Sequence, residues 1–265
     1  MTASTIRVET RGPVEIVTLD RPSALNALSP AMVGELRDYI FALKARRDVR
    51  VVILRGEGRA FCAGLDIKEN LEDDDRTRFQ RNWDTQARIG DLIRGMRAAP
   101  QPFIALGHGA ACGGGFSLML AADVRFGAPD LRMNAAYIKI GLGGADIGSS
   151  YLLPRLVGAS LAAELLLTGR FIDADRALRL GLLSDVVPAD ALLNRGLDLA
   201  AEMVANAPYG LSLTKQALNI NIDAPSLDAA LALEDRQQVM LAATEDHMEA
   251  MNAFVEKRDP FYRGR

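Results

Sequence analysis

Two glycine-bearing segments that lie far apart in the chain are the first candidates for chemistry. They read "FCAGLDIKE" (61–69) and "GHGAACGGGF" (107–116), and each follows an apolar run. Glycine allows a positive φ and lacks a Cβ atom, so the backbone N–H groups of such a segment can approach an anionic ligand closely. One N–H from each segment, directed at the same oxygen, would stabilise the enolate or oxyanion of a carbonyl compound. Each segment alone is also compatible with a tight turn that binds nothing.

Both segments differ from the common nucleotide-binding motifs. Neither has the glycine spacing and the lysine of a P-loop. The second segment also lacks the glycine pattern and the downstream ribose-binding acid that are typical of a dinucleotide-binding turn. Nucleotide hydrolysis and dinucleotide redox chemistry are therefore disfavoured.

The few cysteines and histidines offer no metal site and no obvious nucleophile. Cys62 and Cys112 are the only cysteines, and no histidine or acid stands at metal-ligand spacing from them. Cys62 follows an apolar residue and has no nearby histidine, which favours a small buried side chain over a reactive thiol or a disulfide. His108 precedes the glycine cluster, where a structural hydrogen bond is the favoured role.

Length and composition limit the classes of protein to which this chain can belong. The chain has 265 residues and a formal net charge of -3, which suits a globular enzyme and disfavours an electrostatic nucleic-acid binder. No apolar stretch reaches the length of a membrane span, and the first ten residues lack the apolar region of a signal peptide. We therefore expect a cytoplasmic protein with neither a nucleic-acid nor a membrane partner.

The elements that must position the glycine segments alternate between strand and helix. Residues 14–20 and 49–58 are β-branched runs that predict strands, and the Ser29-Pro30 pair between them is typical of a helix start. Residues 102–111 predict a third strand, and a helix follows directly from the glycine triplet. This alternation predicts one α/β core with a helical C-terminal part.

Two further stretches lie near these elements, at residues 72–75 and 131–142. The acidic run at 72–75 lacks the ligand spacing of a calcium loop, which favours a solvated segment over the site rather than a metal site. Residues 131–142 are predicted to continue the strand-rich part.

Five segments, in chain order, carry a family resemblance. They are "RPSALNAL" (21–28), "FCAGLDIKE" (61–69), "GHGAACGGGFSLMLAADVRF" (107–126), "GLGGADIGSSYLLPRLVGASLAAELLLTGRFIDADRALRLGLLSDVVP" (141–188) and "FVEKRDPFY" (254–262). Together they resemble the enoyl-CoA hydratase/isomerase family, the crotonase superfamily, over nearly the whole chain.

The resemblance implies a fold, a ligand and an assembly. The fold would be an α/β spiral of ββα turns with two near-perpendicular sheets, formed by residues 1–200. Residues 201–265 would form a helical part that drives assembly into a trimer, or into a hexamer as a dimer of trimers. Acyl-coenzyme A would be the substrate, and no cofactor would be needed.

The resemblance also assigns binding residues. The oxyanion hole would be formed by the backbone N–H groups of Leu65 and Gly114. Coenzyme A contacts would fall on the following positions, the last two of which touch the ligand from a neighbouring subunit in some relatives: Ser23, Ala24, Leu25, Ala63, Asp66, Ile67, Lys68, Phe254 and Lys257.

The sequence departs from the family's hydratases at the two positions where they carry glutamates that activate water. These positions are occupied by Ser117 and Tyr137. A serine needs its own activating base, and an ordinary tyrosine with a pKa of about 10 is protonated at neutral pH. Two-glutamate hydration is therefore disfavoured.

Asp146 stands where several isomerases of the family carry a catalytic aspartate, eight residues before Pro154. The resemblance favours double-bond isomerisation through Asp146, with Ser117 and Tyr137 as pocket walls. Asp146 could instead be the N-cap of the following helix. The alternative function is a non-catalytic acyl-CoA binding or carrier protein, and the third is thioester hydrolysis or dehalogenation with Asp146 as nucleophile.

Overall fold

The computed structural model describes residues 4–69 and 75–265. Residues 72–74 of the acidic run lie outside this range, so the expectation about that run stays a prediction. The described strands are β1 (Ile6–Arg11), β2 (Val14–Leu19), β3 (Val51–Gly56), β4 (Phe103–Gly107), β5 (Ala110–Cys112), β6 (Val124–Gly127), β7 (Arg132–Asn134), β8 (Ile172–Asp173) and β9 (Asp185–Val186). The described helices are α1 (Pro30–Ala42), α2 (Arg78–Ala98), α3 (Gly114–Ala121), α4 (Ser149–Val157), α5 (Ala159–Thr168), α6 (Ala174–Arg179), α7 (Leu192–Val204), α8 (Pro208–Asn221), α9 (Leu227–Ala242) and α10 (Glu245–Glu256).

The strands form two sheets within the described part of the chain. The larger sheet has the order β1-β2-β3-β4-β6-β9, in which only the β1–β2 pair is antiparallel. The smaller sheet has the order β5-β7-β8. This mixed α/β arrangement confirms the predicted fold class.

The first strand-helix-strand unit forms as its sequence predicts. The side chain of Ser29 accepts a hydrogen bond from the Met32 amide, and Pro30 occupies the first helical position, where its missing N–H costs nothing. The helix returns the chain so that β3 lies parallel to β2, with Val14 opposite Val51.

Side chains of β2, β3 and β4 alternate between two apolar layers, because successive residues of a strand point to opposite faces. The layer that packs with α1, α2 and α3 contains Val17, Leu19, Val52, Leu54, Phe103 and Ala105. The layer that packs with α7 contains Val14, Ile16, Val51, Ile53, Ile104 and Leu106. Because helices cover both faces of the sheet, each of these strands carries buried apolar side chains on both of its faces.

The prediction of further strand over residues 131–142 is only partly correct. β7 ends at Asn134, and residues Ala136–Ile140 form a 3₁₀ helix that ends at Gly141, whose φ is 83°. The asparagine side chain donates to the Gly169 carbonyl, which anchors the end of the strand. The polypeptide therefore turns away from the sheet just before Tyr137.

The C-terminal part is helical, as predicted. Helix α7 spans the proposed boundary at residue 200 and packs on the larger sheet, whereas α8, α9 and α10 follow it. These last three helices expose large apolar side chains, among them Leu218, Val239, Met240, Phe254 and Val255. In the described residues, none of the helices has both the length and the apolar character needed to cross a bilayer.

The side chain of Lys215 connects α8 to the core, and its substitution tests that packing. Its buried ammonium donates to the carbonyls of Met96 and Gln101, both at 2.8 Å, and pairs with Asp123 at 3.0 Å. We expect Lys215→Met to lower the free energy of unfolding by about 3 kcal/mol, because Asp123 would lose its buried cation. Urea denaturation measures the loss. The exposed Lys44→Met is the control and should change stability by less than about 0.5 kcal/mol.

Candidate active site

The two glycine segments lie side by side. The Cys62 amide donates to the Ala110 carbonyl at 3.0 Å, and the Cys112 amide donates back to the Cys62 carbonyl at 2.9 Å. At the end of this short parallel pairing Gly64 has a φ of 103°, and a Cβ added there would lie 2.9 Å from the Cys112 oxygen and 3.6 Å from the Gly114 nitrogen. Glycine is required at position 64 because the two backbones approach so closely.

The amides of Leu65 and Gly114 have no hydrogen-bond acceptor among the described residues. Leu28 pairs with the residues on either side of Leu65: its amide donates to the Gly64 carbonyl and its carbonyl accepts from the Asp66 amide. This pattern leaves the Leu65 N–H outside the pairing. Gly114 is the first residue of α3, where a backbone N–H has no partner within the helix. The role of these two amides as an oxyanion hole stays a prediction.

The first predicted coenzyme A segment packs against the second. The Ala63 amide donates to the Leu25 carbonyl at 3.0 Å, which places the loop containing Ser23 and Ala24 beside the first glycine turn. Ser23 is exposed, and Ala24 and Leu25 are half-buried. The structure thus brings the segments 23–25 and 63–68 together.

Buried Asn26 stabilises the loop that contains Ser23 and Ala24, a role that no motif in the sequence predicted. Its side-chain amide donates to the carbonyls of Glu57 and Ala60, and its side-chain oxygen accepts from the Arg21 amide. Asn26 and Leu25 both have positive φ values, of 55° and 51°. Asparagine tolerates that conformation better than most residues, so its place in "RPSALNAL" was a signal that could have been used.

Asp66 braces the second segment from within. Its carboxylate accepts from the Arg21 guanidinium at 3.0 Å and from the amides of Lys68 and Glu69 at 3.1 and 3.2 Å. Burial alone would raise the pKa of Asp66, but the hydrogen bonds from Glu69 and Arg21 outweigh it and lower that pKa. The Asp66 side chain therefore forms its hydrogen bonds within the loop, while Leu65, Ile67 and Lys68 remain exposed.

Phe254 and Lys257 lie at the C-terminal end of α10. Phe254 lies on α10 with 83% of its surface exposed, and exposed Lys257 caps the C-terminal end of that helix. Within the described residues, no hydrogen bond, ion pair or ring contact connects either side chain to the glycine turns. Their predicted ligand contacts remain a prediction.

Ser117 and Tyr137 meet in a buried hydroxyl pair. The Ser117 Oγ and the Tyr137 hydroxyl are 3.5 Å apart. Burial raises the pKa of Tyr137 and the charge of Asp146 adds to this, against the opposing effect of hydrogen bonds with Ser117 and Ser149. Tyr137 therefore stays protonated at neutral pH, and no carboxylate occupies either position.

Asp146 lies in a turn that precedes α4. Its Oδ1 atom accepts from the Ile147 amide at 2.8 Å and also from the side-chain amide of Gln86 on α2. Gly148 is the N-cap of α4 and receives no side-chain help, so the alternative in which Asp146 caps this helix is wrong. Ile147 has a φ of 35°, a conformation that is costly for a β-branched residue and that recurs at functional sites.

The Asp146 turn reaches the second glycine segment. The Cδ1 atom of Ile147 lies 3.8 Å from the position that a Cβ atom would take at Gly114. The Ser149 hydroxyl accepts from the Asp146 amide at 3.1 Å and also interacts with Tyr137. Contacts therefore connect the Asp146 turn, the start of α3 and three hydroxyl groups, those of Ser117, Tyr137 and Ser149.

The cysteines have the structural role that the sequence favours. Both are free, and burial raises the pKa of Cys62 to about 12. His108 has its Nε2 atom 2.8 Å from the Gly58 carbonyl, in keeping with a structural hydrogen bond. Across residues 4–69 and 75–265, no cluster of three histidine, cysteine or acidic side chains could hold a metal ion.

Cys62 should resist chemical modification. We expect iodoacetamide at pH 8 to leave this thiol unmodified in the folded protein, because it is inaccessible and protonated. Peptide mass spectrometry measures the modified fraction, with urea-unfolded protein as the fully reactive control. Rapid labelling of Cys62 in the folded protein would contradict the burial of this side chain.

Comparison with known proteins identifies the family. Residues 9–265 match the model of the enoyl-CoA hydratase/isomerase family. The chain is similar to the Short-chain-enoyl-CoA hydratase of Clostridium acetobutylicum, with 34% identity over 97% of each chain. It is also similar to the 2,3-dehydroadipyl-CoA hydratase of Escherichia coli, with 35% identity over 95% of this chain and 96% of the relative.

A solved structure agrees with these matches. The crystal structure of an enoyl-CoA hydratase from Bacillus anthracis superposes with a TM-score of 0.93 at 32% identity and covers 98% of this chain and 100% of that one. The fold and the sequence therefore define an acyl-CoA enzyme of the crotonase superfamily. The chain belongs to the enoyl-CoA hydratase/isomerase family.

Proposed function

We propose that this enzyme moves the double bond of an enoyl-coenzyme A thioester, with Asp146 as the group that transfers the proton. The observation that supports this most directly is the position of Asp146 in a turn that contacts the start of α3, while Ser117 and Tyr137 supply hydroxyls where water-activating carboxylates would stand. A carboxylate is a base at neutral pH, whereas a protonated phenol and an unactivated serine are not.

In the proposed reaction the thioester oxygen accepts hydrogen bonds from the amides of Leu65 and Gly114. The carboxylate of Asp146 removes a proton from the α carbon of a 3-enoyl thioester, and the electron pair of that C–H bond forms a π bond between the α carbon and the carbonyl carbon. The π electrons of the carbonyl group move onto its oxygen, so that the two amides stabilise the dienolate oxygen. Protonated Asp146 gives the proton to the γ carbon of the dienolate and regains its charge. The C=O bond forms again, and the carbon–carbon double bond now joins the α and β carbons.

The proton balance explains why no cofactor is needed. The proton that leaves one carbon returns to another, and no electrons leave the substrate. Ser117 and Tyr137 would act as pocket walls whose hydroxyls donate or accept hydrogen bonds without ionising. Coenzyme A would lie along the exposed parts of the segments 23–25 and 63–68.

The test uses purified enzyme and thioesters that differ only in the position of the double bond. We expect 3-enoyl-CoA to give the conjugated 2-enoyl product, which ultraviolet absorbance and mass spectrometry detect. Hydration of 2-enoyl-CoA without any double-bond migration would contradict the proposal. Binding without turnover of 2-enoyl, 3-enoyl and 3,5-dienoyl thioesters would instead support the acyl-CoA carrier, and a covalent adduct on Asp146 would support the hydrolase or dehalogenase.

We also propose that the chain assembles as a trimer or as a dimer of trimers and acts in the cytoplasm. The exposed apolar side chains of α8, α9 and α10 support self-association, because a surface of this kind is typical of an interface. Light scattering on the purified protein distinguishes a trimer from a hexamer, and a monomeric mass would contradict the assembly.

A further inference from the structure

The side chain of Gln86 contacts Asp146, and no sequence motif predicted this contact. Gln86 lies on α2, sixty residues before Asp146 in the sequence, and its side-chain nitrogen donates to the Oδ1 atom of that aspartate. An ionised carboxylate can only accept hydrogen bonds, so the amide of Gln86 must present its NH₂ group to it. The contact is local to the proposed proton-transfer group and serves no helix cap.

The two donors to Asp146 reach the same oxygen. The Ile147 amide and Gln86 both donate to Oδ1, whereas Oδ2 has no donor among the described residues. A carboxylate held at one oxygen by two donors from different elements cannot rotate freely. Oδ2 is therefore the oxygen left to take a proton from a substrate.

Helix α2 is packed firmly enough to fix the position of this donor. Gln86, Ile89 and Ile93 recur at three- and four-residue intervals, so they share one face of the helix. Ile89 and Ile93 are buried in the core. The Cγ2 atom of Ile93 also lies 3.3 Å from the Cβ position of Gly148, next to the Asp146 turn.

Gln86 holds the carboxylate without adding charge. An arginine or lysine at this position would form an ion pair with Asp146 and would stabilise its charged form more strongly than a neutral amide does. A neutral donor fixes the direction of the carboxylate while leaving it able to accept a proton.

We propose that Gln86 is the positioning residue of the proton-transfer group, holding Asp146 so that Oδ2 faces the acyl part of the thioester. This inference rests on the proposed function. Misplacing a reacting group by about 1 Å can cost about 10²-fold in rate, so the effect of Gln86 should appear in the chemical step rather than in substrate binding.

The experiment compares three variants. Gln86→Leu should lower kcat for double-bond migration by about 10- to 100-fold and leave KM within about twofold. Gln86→Glu keeps the shape of the side chain but loses the NH₂ donor, so it should lose at least as much activity. Asn82→Leu changes another exposed amide of the same helix and should keep the wild-type rate. Since Gln86 is itself exposed, all three should fold, which thermal unfolding verifies.

A double-variant cycle separates positioning from a general loss of packing. In the Asp146→Asn background, Gln86→Leu should cause no further loss of kcat, because there is no carboxylate left to position. A Gln86→Leu enzyme with a wild-type kcat, beside an inactive Asp146→Asn enzyme, would overturn the role of Gln86 alone. An Asp146→Asn enzyme that still moves the double bond at the wild-type rate would overturn the proposed function and this inference with it.

Discussion

Asp146→Asn is expected to lower kcat for double-bond migration by about 10²- to 10⁴-fold, the usual contribution of a positioned acid or base. Asparagine has nearly the shape of aspartate and can still accept from the Ile147 amide, so the turn before α4 should persist. It cannot take a proton from carbon at neutral pH. The rate is followed by the ultraviolet absorbance of the conjugated product.

Binding must be measured on the same variant, because it distinguishes a lost base from a lost site. Titration calorimetry with a thioester should give an affinity within about threefold of the wild type, since the proposed amide donors of Leu65 and Gly114 remain. Asp130→Asn, in the exposed turn before β7, is the matched control and should leave both quantities unchanged. Equal rates for wild type and Asp146→Asn would show that another group moves the proton.

Gly64→Ala is expected to reduce both activity and stability. The added methyl group would lie 2.9 Å from the Cys112 carbonyl, at a φ of 103° that alanine rarely adopts. The two glycine turns would have to move apart, which would misdirect the Leu65 amide. Loss of one oxyanion donor costs about 10²- to 10³-fold in kcat, and a strained backbone of this kind costs about 1–3 kcal/mol of stability.

The control for Gly64→Ala is Gly12→Ala in the β1–β2 turn. Gly12 also has a positive φ, of 58°, but an added Cβ there has no atom within 4 Å. This variant should lose some stability from backbone strain alone and should keep its kcat. If Gly64→Ala retains full activity at a temperature where it is folded, the Leu65 amide does not stabilise the reacting oxygen.

Local signals explain why much of the fold could be predicted. The Ser29-Pro30 helix start, the β-branched strands β2 and β3 and the helix that begins at the glycine triplet depend on residues adjacent in sequence. The stretch after Asn134 was predicted less well. Its apolar residues suit a strand, but the chain turns into a 3₁₀ helix because the end of β7 is anchored to the distant Gly169 carbonyl.

The candidate site also has residues that the sequence predicted and residues that it did not. Glycine at 64 and the triplet at 113–115 were visible as places of close backbone approach, and Asp146 was assigned through the resemblance to isomerases of the family. The loop-bracing Asn26 and the contact of Gln86 with Asp146 were not. Side-chain amides can form hydrogen bonds with many kinds of group. A single asparagine or glutamine in a sequence therefore does not indicate which group its side chain contacts.

The sequence by itself determined which residue types are available for chemistry: two glycine turns, one aspartate before α4, and hydroxyls instead of carboxylates at positions 117 and 137. Only the tertiary structure decided their neighbours. Pairing between residues 62 and 111 brings the two turns together, and α2 carries Gln86 to Asp146. Contacts between residues fifty or sixty positions apart depend on how whole elements pack, and that packing is set by the combined burial of many side chains rather than by any local pattern.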